Sequence, residues 1–282
     1  MNKKLFIVAT PIGNIKEISE LAITTLTNNS IFFCEDTRNS KKLLNLLNIS
    51  LENKTFYSLN GNNEKQFINS FDFKDNEYCL LSDAGYPILS DPGFLLINLF
   101  IKNNWDVQII NGPSSLMHSL IVSGFPSSNV LFYGFLNHNK NLKQDQLNQL
   151  KNESKTIIIF ESVHRIKDTL KMIKEIFDNS KNICIARELT KMNETIYRSS
   201  IANINEIKIT EKGEFVILID NNVKETESIK KEETDYSVYL NELEKLIRKG
   251  EKEKVACKMV SYKYSLKSNS LYNFWQQRKN CF

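Results

Sequence analysis

Five polar segments follow short apolar runs, and each carries groups able to hold a ligand or move a proton. The first, Ala9-Thr10-Pro11-Ile12-Gly13-Asn14, sets a proline beside a glycine, a tight turn that lets a ligand approach the backbone. It has neither the Gly-Lys-Ser/Thr of a Walker loop nor the glycine spacing of a dinucleotide fingerprint. The second, Glu35-Asp36-Thr37-Arg38, puts two acids beside an arginine. One acid suffices to cap the next helix, which leaves groups to spare. The third, running from Leu81 to Gly93, packs two Asp, two Pro and two Gly into its last eleven residues. Turn chemistry accounts for Asp91-Pro92-Gly93 and less well for Ser82-Asp83-Ala84-Gly85, where a carboxylate can accept from a ligand amine or hydroxyl. The fourth, Asn111-Gly112-Pro113-Ser114-Ser115, opens a helix whose first N–H groups can hold a polar ligand edge. The fifth comprises Phe160–Arg165 and Arg187–Glu194, both dense in ionisable side chains.

What is missing narrows the chemistry. His118, His138 and His164 are far apart, and the chain has no HExxH, no CxxC and no GxSxG. A zinc site and a serine-hydrolase elbow are not expected, and no metal is assigned.

These loops need a frame that ends strands on one side. Strands are expected at Leu5–Thr10, Ile31–Glu35, Thr55–Leu59, Tyr78–Ser82, Asp106–Ile110, Val130–Tyr133, Thr156–Phe160, Asn182–Arg187 and Glu214–Asp220. Helical patterns lie between most of them, including Ile15–Thr27, Ser40–Leu47, Phe94–Asn103 and Arg165–Phe177. Such alternation defines an α/β fold with substantially parallel sheets, in which ligands bind beyond the carboxyl ends of strands. Gly124 and Pro126 mark a boundary, giving α/β domains over 1–124 and 125–220. The charged stretch 221–235 reads as a linker. From Tyr236 the period becomes helical, and 236–282 is expected to be a small all-α domain of three helices.

Composition sets the outer limits. With 282 residues, 41% hydrophobic and 25% charged, the chain is neither disordered throughout nor built to span a membrane. Lys3 and Lys4 before Leu5–Ala9 imitate a signal peptide, but Pro11 and Gly13 break the run, and a first strand fits better. Five scattered cysteines make no disulfide framework; Cys34, Cys79 and Cys184 sit in apolar runs, as buried thiols of a reducing cytoplasm do. The net charge of +4 is unevenly spread. From Glu244 onward there are ten Lys/Arg against three acids, interleaved with Tyr262, Tyr264, Tyr272 and Trp275. That pattern suits a polyanion with stackable bases, and equally a solvated helical face.

In order along the chain, VATPIGN, EDTR, LLSDAGYPILSDPG, NGPSSL, FYGF, FESVHR, ARELTK and KGEFVILI resemble the ribosomal RNA small subunit methyltransferase I family. This family belongs to the tetrapyrrole-methylase-like (class III) methyltransferases. The likeness runs from residue 4 to about 220, and YKYSLKSNSLY resembles the family's C-terminal segment. Departures are Tyr86 where the family more often has Thr, and Val163 and Asn111 where it more often has Pro.

The resemblance implies a two-domain tetrapyrrole-methylase-like fold with S-adenosylmethionine (SAM) held between the domains. It implies 2′-O-methylation of a decoding-centre cytidine of 16S rRNA, presented by the small ribosomal subunit, and a homodimer. Carried over by motif position, Ile12, Asp83, Ala84, Gly85, Tyr86, Ser114, Ser115, Phe160 and Glu214 would border the cofactor. Arg38, His164 and Arg165 would face RNA. Glu35, Asp36, Glu188 and Lys191 are the catalytic candidates. Any of the three acids can serve as base, and Lys191 or Arg38 can lower the hydroxyl pKa or hold a phosphate. The rivals are a tetrapyrrole C-methylase, which has no need of a basic tail, and a non-catalytic RNA-binding protein, which would bind no SAM.

Overall fold

The computed structural model describes residues 3–222, 236–264, 266 and 268–279. Two compact units result, Met1–Asn222 and Val223–Phe282. Most of the expected linker, residues 223–235, lies outside the described residues. Its first residue, Asn221, belongs to the α/β body. The side chain is buried and donates to the carbonyls of Lys151 at 2.9 Å and Glu153 at 2.5 Å.

The first unit contains two five-stranded sheets. In sheet one, β1 (Lys4–Val8), β2 (Ile31–Cys34), β3 (Thr55–Ser58), β4 (Glu77–Leu81) and β5 (Asp106–Ile110) pair in the order β3-β2-β4-β1-β5. Every pairing is parallel. Alternate residues serve opposite faces, as the two-residue period of a strand requires. On one side Val8, Phe32, Cys34, Cys79 and Leu81 pack with α1 (Glu20–Asn28) and α2 (Thr37–Leu46). On the other, Leu5, Ile7, Phe33, Tyr78 and Leu80 meet Leu96, Ile97 and Phe100 of α4 (Phe94–Lys102). A short helix, α3 (Glu64–Ser70), follows β3.

Sheet two is mixed. It comprises β6 (Val130–Phe135), β7 (Thr156–Glu161), β8 (Asn182–Arg187), β9 (Thr195–Ser200) and β10 (Phe215–Asp220), in the order β6-β7-β10-β8-β9. Only β6 and β7 are parallel; β10 runs antiparallel to both β7 and β8, and β9 antiparallel to β8. Helices α6 (Lys140–Lys151) and α7 (Ile166–Ile176) belong to this half. The helix α5 (Ser115–Ser123) leaves sheet one but packs on β8, β9 and β10 of sheet two, where Leu120 joins Cys184, Ala186, Val216 and Leu218.

Local signals explain most boundaries. The helix expected over Ile15–Thr27 is two pieces, a 3₁₀ turn at Ile15–Glu17 and then α1. Asn14 caps the first and Ser19 the second, with extended backbone at Ile18 and Ser19 between them. The strand β9 was not expected, and neither α3 nor α6 was among the named helical patterns. Cys34, Cys79, Cys184 and Cys257 are buried free thiols, and burial pushes the Cys34 thiol up to about 12.

The second unit contains a 3₁₀ turn at Tyr236–Tyr239, then α8 (Leu240–Arg248), α9 (Glu253–Lys263) and α10 (Ser268–Lys279). Leu243, Ala256, Cys257, Val260 and Leu271 form its core. No helix among the described residues is long and apolar enough to cross a membrane.

Candidate functional site

The site grows from the ends of β1 and β4. Just past them, Thr10 and Gly85 exchange backbone hydrogen bonds of 2.8 and 3.1 Å, an isolated antiparallel bridge that holds the first and third loops together. Gly85 adopts φ +77°, a conformation only glycine takes without strain, and a Cβ there would press on Ile12. The Tyr86 hydroxyl reaches the fourth loop, donating to Asn111 Oδ1 and accepting from Gly112 N, both at 3.2 Å. Ser114 caps α5 by accepting from Met117 N. Across the cleft, Asn14 N donates to Thr190 Oγ1 at 3.0 Å, tying the first loop to the loop after β8.

These loops enclose a cavity of about 490 Å³, within the range of small-molecule sites. Its apolar wall includes Ile12, Leu89, Phe160, Leu189 and Val216. Ile12, Asp83, Ala84, Gly85, Tyr86, Ser114, Ser115, Phe160 and Glu214 all line it, and so does Glu35. Asp36, Arg38, His164, Arg165, Glu188 and Lys191 are not among the lining residues.

The carboxylates divide into two electrostatic kinds. Glu35, Asp83 and Asp91 share one side of the cavity. Glu35 Oε2 accepts from Asp83 N at 3.2 Å, while Asp83 accepts from Asp36 N and, at 2.7 Å, from Asn39 Nδ2. Burial, reinforced by the charges of Asp83 and Asp36, raises the Glu35 carboxyl above its usual range. Burial and the charges of Glu35 and Asp83 push Asp91 up to about 7, against a hydrogen bond from Ser82. Asp91 stands on a strained loop, since Ile88 and Ser90 both have φ +77°.

The second kind is neutralised. Burial raises Glu188, but hydrogen bonds from Lys191 Nζ (2.8 Å) and Glu214 N (3.0 Å) outweigh it and hold the carboxyl low. Lys191 also reaches Glu214 at 3.0 Å. Asp36 accepts from Arg38 N and from its guanidinium, which lowers it to about 2. Both carboxyls are thus held below their ordinary range by a neighbouring cation. A buried trio completes this class: Glu161 pairs with Arg165 at 2.7 Å and Lys143 at 3.7 Å, and accepts from Thr169 Oγ1 at 2.6 Å.

Arg165 therefore differs from its expected place on an RNA-facing surface. Its side chain is largely buried, and besides Glu161 it serves the carbonyl of Leu136. His164 and Arg38 are exposed, Arg38 paired with Asp36. Sequence reasoning missed Asp91, because Asp-Pro-Gly is fully accounted for as a turn. Its one visible signal was a second acid in the same loop as Asp83.

The fold and cavity define a methyltransferase of the tetrapyrrole (corrin/porphyrin) methylase class, whose family model matches residues 4–205. Within that class the chain belongs to the ribosomal RNA small subunit methyltransferase I family. It is 43% identical to the protein of that name from Mycoplasma genitalium, over 98% of this chain and 99% of that one. The Mycoplasma pneumoniae and Pasteurella multocida proteins of the same name are 40% and 35% identical, each over at least 97% of this chain and 98% of the relative. Among solved structures, uroporphyrin-III-C-methyltransferase from Thermus thermophilus shares the fold, with a TM-score of 0.54 at 11% identity. It is matched over 94% of its length by 77% of this chain.

The methyl donor of this class is SAM. The lining fits that molecule chemically, with apolar side chains, the hydroxyls of Ser114 and Ser115, and carboxylates able to face a cation.

Proposed function

We propose that this chain methylates the 2′-hydroxyl of a decoding-centre cytidine in 16S rRNA, on the small ribosomal subunit, as a cytoplasmic homodimer. The observation that carries the reading is likeness over the whole length. The rRNA enzyme of Mycoplasma genitalium matches 98% of the chain, whereas the tetrapyrrole enzyme's nearly complete length uses only 77%. A tetrapyrrole substrate leaves the remainder without a purpose.

In this reading Ile12, Asp83, Ala84, Gly85, Tyr86, Ser114, Ser115, Phe160 and Glu214 hold SAM, which supplies an already activated methyl group. The protein has two tasks. It aligns the ribose oxygen behind the methyl carbon, and alignment contributes up to about 7–11 kcal/mol. It would also accept the hydroxyl proton as the oxygen–carbon bond forms and the methyl–sulfur bond breaks, the electron pair of that bond staying on the donor sulfur as a neutral thioether. Asp91 serves as that acceptor, with Glu35 beside it sustaining its basicity. General-base assistance contributes about 10²–10⁴-fold. Lys191 holds Glu188 and Glu214 in place, and His164 and Arg38 face RNA.

The test is methyl transfer from labelled SAM to undermethylated small subunits, with a tetrapyrrole as parallel acceptor. Label at a cytidine ribose, blocking alkaline cleavage there, is the expected result. Label on the tetrapyrrole alone would overturn the substrate.

A further inference from the structure

One helix of the tail unit has two unlike faces. On α9, Ala256, Cys257, Val260 and Ser261 are buried. Its opposite face shows Val255, Met259 and Tyr262 at 42, 48 and 91% exposure. Positions i, i+4 and i+7 lie in one stripe on a helix. Lys254 and Lys258, also four apart, run along one edge of that stripe, and both are exposed. Among the described residues no carboxylate lies within ion-pair distance of either, whereas Lys263 is committed to Glu242 at 2.6 Å. The neighbouring tyrosine makes the contrast sharper. Tyr264 packs at a tilt against Tyr239 and donates to Glu242, while Tyr262 touches no other ring among the described residues.

We propose that this face of α9 docks an unpaired segment of the substrate rRNA, with Lys254 and Lys258 on successive phosphates and Tyr262 stacked on a base. Charge complementarity selects the occupant: the tail from Glu244 onward carries ten basic residues against three acids. Spacing agrees as well. Four residues of helix advance about 6 Å, close to one nucleotide of an extended strand. An aromatic ring stacks on any base without needing sequence, and a cation beside it neutralises phosphate. Met259 and Val255 supply apolar surface under the sugar edge. The inference rests on ribosomal RNA being the substrate.

The test uses the full-length chain, and SAM affinity shows that each variant is folded. Replacing both lysines (K254Q with K258Q) should weaken binding to undermethylated small subunits. The slope of log affinity against log salt should become shallower by about 1.4, two single-strand phosphate contacts. Y262A should weaken binding roughly 5- to 150-fold, and Y262F should restore it, because stacking needs the ring and not the hydroxyl. Ultraviolet cross-linking of the wild-type complex should join residues 253–263 to rRNA. Unchanged affinity and salt slope in all variants would overturn the proposal, as would cross-links from this helix to a ribosomal protein. Wild-type chain that methylates subunits while these variants behave normally isolates the failure to α9. Absent methylation would instead remove the substrate reading itself.

Discussion

The carboxylates after β2 and β4 and those after β8 and before β10 are chemically identical groups placed at the ends of neighbouring sheets, yet their surroundings oppose each other. Glu35, Asp83 and Asp91 crowd one side of the cavity, and burial with mutual repulsion raises Glu35 and Asp91. Glu188 and Glu214 share Lys191, and Glu188 stays ionised. A cation within reach turns a carboxylate into a structural strut; its absence leaves the carboxylate ready to take a proton.

The sharpest way to break this comparison is Asp91→Asn. Methyl transfer in single turnover should fall about 10²–10⁴-fold with SAM affinity retained. Wild-type rate should rise with pH through a limb near 7, where Asp91 loses its proton, and then level off; the variant should lack that limb. Normal turnover in Asp91→Asn would show that the crowded acids are not catalytic. The same raised carboxyl carries a stability consequence. The folded state holds its proton more tightly than the unfolded one, so ionisation costs stability as pH rises from the ordinary Asp range towards 7. Thermal denaturation at pH 8 should therefore find Asp91→Asn more stable than wild type.

Among the paired carboxylates the largest effect belongs to the most buried. Glu161→Gln leaves Arg165 and Lys143 without their countercharge and should cost about 3–5 kcal/mol in denaturant unfolding. Glu188→Gln breaks a partly exposed pair and should cost about 1 kcal/mol. Because Glu188 is held low, its contribution is full above the unfolded carboxyl pKa and disappears as pH falls through the folded one. Unfolding measured down an acid series should show variant and wild type converging. The smallest effect is expected at Asp36→Asn. Asparagine still caps α2, so turnover on small subunits should be nearly unchanged.

Much of this frame was readable in the sequence, for specific reasons. The strands Asp106–Ile110 and Asn182–Arg187 match to the residue because apolar runs there meet loop signals at both ends. Ile12, Asp83, Gly85 and Ser114 reach one cavity because each follows a strand on the same side of the α/β frame. The second sheet was less legible. Its strand β9, TIYRSS, follows directly on the Arg187–Glu194 loop and is only half-buried, so it shows no contrast of composition. The helix α6 has Leu142, Leu147 and Leu150 as its only large apolar residues, too thin a stripe to register as periodicity. Arg165 looked like a free cation although Glu161, four residues earlier, is its ion-pair partner; its other acceptor, the carbonyl of Leu136, comes from a distant part of the chain that the FESVHR motif does not show. Asp91 was hidden by a turn motif that is itself correct, and the positive φ at Ile88 and Ser90 that aims the loop leaves no trace in the residue types.

The position of β10 has a consequence for how the protein comes into being. Among the strands of the described residues it is the last, yet it occupies the middle of sheet two, between β7 and β8. Until residues 215–220 have left the ribosome, β7 and β8 have no shared neighbour and the nascent second half cannot close. Glu214, Phe215 and Val216 also form part of the cavity wall. The cavity is therefore completed by nearly the last stretch of α/β chain to be translated, and a truncated product ending before residue 214 would have an incomplete sheet and an incomplete cavity wall.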